Sequence, residues 1–140
     1  MKKERDIRLY LDDILEAIGK IEKYTEGLDF EQFRKDEKTG DAVIRNFSVI
    51  GEAVKHIPPI IRKKHPDIPW KIIAGMRDKL VHEYFGIRYD VVWETIELRL
   101  PSLRVAIKKI LDQMDEEMEK ESKVTKVSKG TKARSRRKRK

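Results

Sequence analysis

Val43–Pro58 reads VIRNFSVIGEAVKHIP, and within it Val43, Phe47, Ile50, Val54 and Ile57 recur at alternating steps of four and three. That spacing follows the α-helical turn of roughly 3.6 residues and draws one apolar stripe. The same alternation occurs earlier at Ile7, Leu11, Ile14, Ile18 and Ile21, on a helix expected from about Lys3 to Tyr24. Two helices with matching seams predict a bundle with nearly parallel axes, because such stripes mesh at a shallow crossing angle. No stretch carries the two-residue alternation of a half-buried strand. The expected fold is all-α, an antiparallel bundle of four to five helices.

Local signals place the remaining elements. Gly27 follows the first helix, and Asp29 with Gln32 three residues on has the form of a capping box for a short helix over Asp29–Asp36. The helix containing Val43 is expected to start between Thr39 and Asp41 and to stop before Pro58-Pro59, which cannot continue it. His56 falls in its last turn, where a cation suits the helix dipole. Ile60–His65 reads as a turn or single helical turn, with His65 solvated in a basic loop. Asp67-Ile68-Pro69 opens a fourth helix that carries Trp70, Ile73, Met76 and Leu80 on one side and ends at Gly86. Gly75 inside it costs about 1 kcal/mol relative to Ala, which calls for a close approach of another helix from this chain or a second one. Asp90 is the expected cap of a fifth helix with a stripe at Val92, Ile96, Leu100, Leu103, Ile107, Ile110 and Met114. Pro101 within it predicts a kink near Glu97–Pro101.

The formal net charge is +8, but it is unevenly spread. Residues 119–140 hold 11 Lys and Arg against 2 Glu, which leaves 22 basic and 23 acidic residues in 1–118. The basic excess therefore belongs to the tail and says nothing about nucleic-acid binding by the folded part. The tail has too few apolar residues to bury and is expected to be disordered, giving a helical domain over 1–118 and a basic tail over 119–140. Arg134, Arg136, Arg137, Lys138, Arg139 and Lys140 are its candidate RNA contacts. With no cysteine there is no disulfide, thiolate metal site or cysteine nucleophile. The N-terminal MKKERDIRLY lacks the apolar run of a signal peptide, and no apolar stretch approaches the roughly 18 residues of a membrane span. A cytoplasmic protein without membrane contact is expected.

One stretch combines reactive side chains. Met76–Tyr84, MRDKLVHEY, spaces them as Arg77-x4-His82-x-Tyr84. A guanidinium clamps phosphate, an imidazole titrates near neutrality, and a phenol donates, accepts or is modified. On one straight helix Arg77 and Tyr84 share a face about 10 Å apart, while His82 lies roughly 140° round from Arg77. Convergence then needs either a helix end around Val81–Tyr84 or a second copy of the motif across a two-fold axis. Once converged, the set suits metal-free RNA cleavage: His82 as base or acid, Arg77 on the phosphate oxygens, and Tyr84 on the phosphate or a base. Asp78 is placed to orient Arg77. Taken on residues alone, a dipole-matched, partly buried helix end explains the same pattern. The three histidines lack helical metal-ligand spacing, and no metal or cofactor is expected.

Arg77-x4-His82-x-Tyr84 at the end of the fourth helix of an all-α chain resembles the motif of the HEPN superfamily, and more narrowly HepT-like toxins. The likeness extends to VIRNFSVIGEAVKHIP, to HPDIPWKIIAGMRDKLVHEY (residues 65–84) and to the helix after Gly86, covering about Arg5–Leu111. The resemblance implies a metal-independent ribonuclease that forms a homodimer with two motifs lining a shared cleft. It implies Arg77 and His82 as catalytic residues, with Asp78 at the polar position that follows the arginine. It also implies a toxin–antitoxin pairing with an MntA-like nucleotidyltransferase that transfers AMP units to Tyr84, adding phosphate charge where substrate phosphate binds. The basic tail departs from the family pattern. The alternative is a non-catalytic dimeric helical module that recruits a nucleotidyltransferase and nucleic acid.

Overall fold

The structure, a computed structural model, describes the backbone of residues 2–82, 84 and 86–139, and side chains of 7–81, 84 and 86–122. Eight helices are described: α1 (Lys2–Thr25), α2 (Phe30–Lys35), α3 (Glu37–Lys55), α4 (Pro59–Lys64), α5 (Trp70–Ala74), α6 (Met76–Leu80), α7 (Tyr89–Leu98) and α8 (Leu100–Arg139). Between α6 and α7 stands a small antiparallel pair, β1 (Val81–His82) and β2 (Gly86–Ile87). The all-α class holds, while the expected fourth and fifth helices are each divided.

α1 and α3 make the main core pair. Leu11, Ile14, Ile18 and Ile21 of α1 are buried, as are Val43, Phe47, Ile50 and Val54 of α3, with Ile57 just beyond. Tyr10, early in α1, stacks on His56 after the end of α3, with ring centroids 4.5 Å apart. Tyr24 and Ala42 line one groove at the opposite ends of the same two helices, so α1 and α3 run antiparallel. Three buried polar side chains return a bond to the carbonyl four residues back: Thr25 Oγ1 to Ile21, Asn46 Nδ2 to Ala42 and Thr95 Oγ1 to Val91. Each removes the penalty of an unpaired buried donor without a partner from another element.

Caps explain the helix boundaries. Asp29 and Gln32 form the reciprocal capping box of α2, with Asp29 Oδ1 accepting from the Gln32 amide and Gln32 Oε1 from the Asp29 amide. Asp36 then caps α3 by accepting from the Thr39 amide and hydroxyl, so α3 begins at Glu37, earlier than expected. Its far end is closed from α4, where Arg62 Nε donates to the Ile57 carbonyl and Nη2 to that of Val54. His65 is half-buried, and its carbonyl accepts from Trp70 Nε1 at 3.0 Å.

Pro101 has a stronger effect than a kink. α7 stops at Leu98, and Leu100 begins α8 with Pro101 in the first turn, where the missing N–H leaves no bond unmade. α7 opens at Tyr89, so Asp90 lies in its first turn and Arg88 holds the cap position with no side-chain bond.

The chain divides into one compact unit of residues 1–108 and a second of 109–140. The second contains the composition boundary at Met118. α8 keeps helical backbone through Arg139, where sequence composition predicts disorder. Shortage of apolar residues removes packing but not helix propensity, and Lys, Arg, Glu and Ala are good helix formers. The side chains of Arg134, Arg136, Arg137, Lys138 and Arg139, and all of Lys140, lie outside the described residues.

Candidate active site

The segment carrying Arg77, His82 and Tyr84 is broken twice. Gly75 divides the expected fourth helix: its backbone sits at φ −97° and ψ 6°, and its N–H is shared between the carbonyls of Ile73 and Lys71. α6 then lasts five residues and ends at Leu80, because Val81 is extended at φ −126° and ψ 129°. From there the chain enters a hairpin in which Val81 pairs with Ile87 and His82 with Gly86. Gly86 takes φ +78°, a conformation that a side chain would strain, so it belongs to the hairpin return and not to a helix end. The Arg88 N–H donates to the Leu80 carbonyl at 2.8 Å and closes the base of the hairpin.

This backbone removes the helical separation of 140° that sequence spacing imposed. Arg77 lies on the short helix, the His82 backbone on β1, and Tyr84 in the turn between the strands. The His82 side chain lies outside the described residues. The Arg77 side chain is 53% exposed and that of Asp78 86%, with Nη1 to Oδ1 at 3.8 Å. That separation is an ion pair at its outer limit and too long for a hydrogen bond, so Asp78 supplies local charge without fixing the guanidinium. Tyr84 is 86% exposed. Arg77, Asp78 and Tyr84 are therefore all open to a large solute.

Two adjoining clefts of about 360 and 450 Å³ share Ile72, Met76, Arg99 and Ser102, and neither is lined by Arg77, Asp78 or Tyr84. Exposed motif groups suit a polymer laid across a surface better than a small molecule enclosed in a cavity. Among the described residues, no group of three or more His, Cys, Asp or Glu is arranged to hold a metal ion. No helix among them is long and apolar enough to cross a membrane.

The residues that hold this segment lie elsewhere in the chain. Gly51 of α3 faces the carbonyl of Ala74, and a Cβ built at Gly51 would stand 3.1 Å from that oxygen. Gly75, where sequence reading placed the close approach, has among the described residues an ordinary 3.7 Å neighbour from its own helix. Gly40, also on α3, faces Tyr89 and Ile87 at the other end of the segment. Sequence reasoning missed both. For Gly51 the signal was a glycine inside a strong helical pattern, which costs stability unless something packs there; Gly40 fell at the expected helix start, where a glycine carries no such signal.

The chain matches the family described as Ribonuclease HepT-like over residues 14–110. It belongs to the HepT-like ribonuclease family. It is 46% identical over 114 residues to a Methanocaldococcus jannaschii protein named "Putative RNase", covering 81% of this chain and 98% of that protein. It is 47% identical over 107 residues to "Probable ribonuclease HepT" of Thermococcus cleftensis, covering 76% of this chain and 97% of that protein. A "Putative RNase" of Caldanaerobacter subterraneus is 46% identical over 106 residues, 76% of this chain and 95% of its own length. No solved structure matches the chain. The motif and its hairpin lie inside the family match, and residues 119–140 lie outside it.

Proposed function

We propose that this HepT-like ribonuclease is a metal-independent RNA endonuclease, the toxin of a toxin–antitoxin pair. The observation that carries the reading is the Arg77-x4-His82-x-Tyr84 motif on a helix that ends at Leu80 and turns into a hairpin. In this reading His82 takes the proton from a ribose 2′-hydroxyl, and the freed oxygen attacks the adjacent phosphorus. The P–O2′ bond forms as the P–O5′ bond breaks. The leaving 5′-oxygen receives a proton, from His82 of a partner copy or from water, and the other product is a 2′,3′-cyclic phosphate. Arg77 stabilises charge building on the non-bridging oxygens, which preorganised cations do well.

Two copies form a homodimer whose motifs share one cleft, an arrangement natural to a two-fold interface. The partner is a nucleotidyltransferase antitoxin that transfers AMP to Tyr84. The exposure of that side chain, 86%, supports a modification made without unfolding. An added phosphate beside Arg77 competes with substrate phosphate for the same cation. The basic tail adds salt-sensitive RNA affinity through Arg134, Arg136, Arg137, Lys138, Arg139 and Lys140.

The test is cleavage of RNA by the purified chain in excess chelator, beside Arg77→Ala and His82→Ala. Cleavage by the wild type alone is expected, and equal cleavage by all three sinks the assignment. Intact mass after co-expression with the nucleotidyltransferase should show AMP-sized increments that vanish in Tyr84→Phe. Removal of residues 119–140 should flatten the salt dependence of RNA affinity, and an unchanged slope removes the tail from the account.

A further inference from the structure

Gly40 and Gly51 lie eleven residues apart on α3, which places them within about 20° of each other on the helix and about 16 Å apart along it. Both are buried. Each meets one end of the segment that carries the motif. At Gly51 the neighbour is the Ala74 carbonyl, just before the break at Gly75. At Gly40 a Cβ would stand 2.8 Å from Tyr89 Cε1, 2.9 Å from Tyr89 Oη and 3.2 Å from Ile87 Cδ1. The first two distances are closer than non-bonded atoms tolerate, so any side chain at residue 40 displaces its neighbours.

Those neighbours are half-buried and tied into other contacts. The Tyr89 ring meets Phe33 edge to face, with centroids 5.4 Å apart, and Phe33 is fully buried. Phe33 also packs on Trp93, which closes the aromatic cluster between α2 and α7. Ile87 is paired with Val81, next to His82 in β1, and Arg88 is bonded to Leu80. A displacement of Ile87 or Tyr89 therefore passes through the ladder to the backbone at His82. Gly40 also has no freedom to retreat, since its N–H donates to the carbonyl of Asp36, the residue that caps α3.

We infer that Gly40, Tyr89 and Ile87 are positioning residues for the motif, and that the two glycines of α3 form a two-point seat that sets where Arg77 and His82 stand. None of these residues belongs to the Arg-His-Tyr motif. The inference rests on the cleavage reading for its kinetic consequence. A five-residue helix and a two-residue strand lack the cooperativity to fix their own geometry, so they take it from the long helix beneath them. Misplacing a catalytic group by about an ångström costs up to about a hundredfold in rate.

The experiment compares wild type, Gly40→Ala, Tyr89→Leu and the double variant in RNA cleavage, with amide NMR spectra of each. Gly40→Ala should lower kcat about tenfold with KM within about twofold. Tyr89→Leu should lower it less. The double variant, which lacks the ring atoms nearest the new Cβ, should recover most of the loss. Amide shifts should move at Val81, His82 and Ile87, while Ile14 and Ile18 of α1 stay in place. A folded Gly40→Ala with unchanged kcat overturns the seat, as does a loss that the double variant fails to relieve. If Gly40→Ala does not fold, Tyr89→Leu carries the test through the same split between kcat and KM. If the wild type cleaves no RNA, the cleavage reading fails by itself. The seat then stands or falls on the hairpin shifts alone, and shifts confined to α2 and α3 overturn it.

Discussion

α3 runs nineteen residues and buries nine of them, whereas the similar length from Trp70 to Ile87 is spent on two five-residue helices and two two-residue strands. The first is long enough to be cooperative and is held by an apolar stripe along its length. The second contains helices far below the roughly 12–15 residues at which an isolated helix becomes even marginal. Its buried anchors, Trp70, Ile73, Met76 and Leu80, alternate with exposed residues that include Arg77 and Asp78. The pair shows a division of labour within one bundle. Long helices supply shape, and a broken segment laid on them carries the exposed Arg77, Asp78 and Tyr84.

The sharpest way to break this comparison is to strip function from the segment without touching the frame. Arg77→Ala should reduce cleavage by about 10²–10³-fold, the loss expected when a charge-stabilising group goes. Because the side chain is more than half exposed, unfolding free energy should stay within about 0.5 kcal/mol, read by urea titration. A large loss of stability would show that the segment also carries structural weight. The converse experiment is Phe47→Ala, which empties a fully buried site on α3. It should cost about 3–5 kcal/mol in the same titration while the rate per folded molecule stays near wild type.

Smaller effects test the caps that set the frame. Asp29→Ala removes one half of the capping box on α2 and should cost about 1 kcal/mol. The smallest is a pH effect at Asp36, whose carboxyl is held below the usual carboxylate range by hydrogen bonds from the Thr39 hydroxyl and amide. A carboxyl with a depressed folded pKa adds stability above its unfolded value, and that stability is lost as pH falls through the folded one. Acid unfolding below about pH 4 should therefore be shallower in Asp36→Asn, which still caps the helix but does not titrate there. Equal acid profiles would assign the cap no part in acid sensitivity.

The long helices were legible because burial is periodic: every stripe position proposed for α1 and α3, from Ile7 to Ile57, is buried. The capping box at Asp29 and Gln32 was legible because its chemistry is local. The break at Gly75 was not. Trp70, Ile73, Met76 and Leu80 keep a helical spacing right through it, and the approach that accounts for a glycine is at Gly51 instead. The hairpin was hidden for a similar reason, since strands of two residues are too short to show alternation. Sequence spacing singled out Arg77, His82 and Tyr84 as candidates, yet the residues that pack against their segment are distant in the chain, and only the fold brings them together. Tyr89 is one such residue: burial and the nearby carboxylates of Asp41, Glu37 and Asp36 raise its phenol above its ordinary pKa, so it remains a neutral wedge.

The Arg62 fork at the end of α3 has a consequence for local opening. Its guanidinium reaches back over Pro58-Pro59 to the carbonyls of Val54 and Ile57, while the Arg62 amide donates to the Pro58 carbonyl. One side chain therefore belongs to two helices, and neither frays without releasing it. The last turn of α3 and the first turn of α4 are expected to open as one unit, with the amides of His56, Ile57 and Arg62 losing protection together in hydrogen exchange. The Pro-Pro corner, which breaks the helix in sequence, is thereby bridged by one side chain.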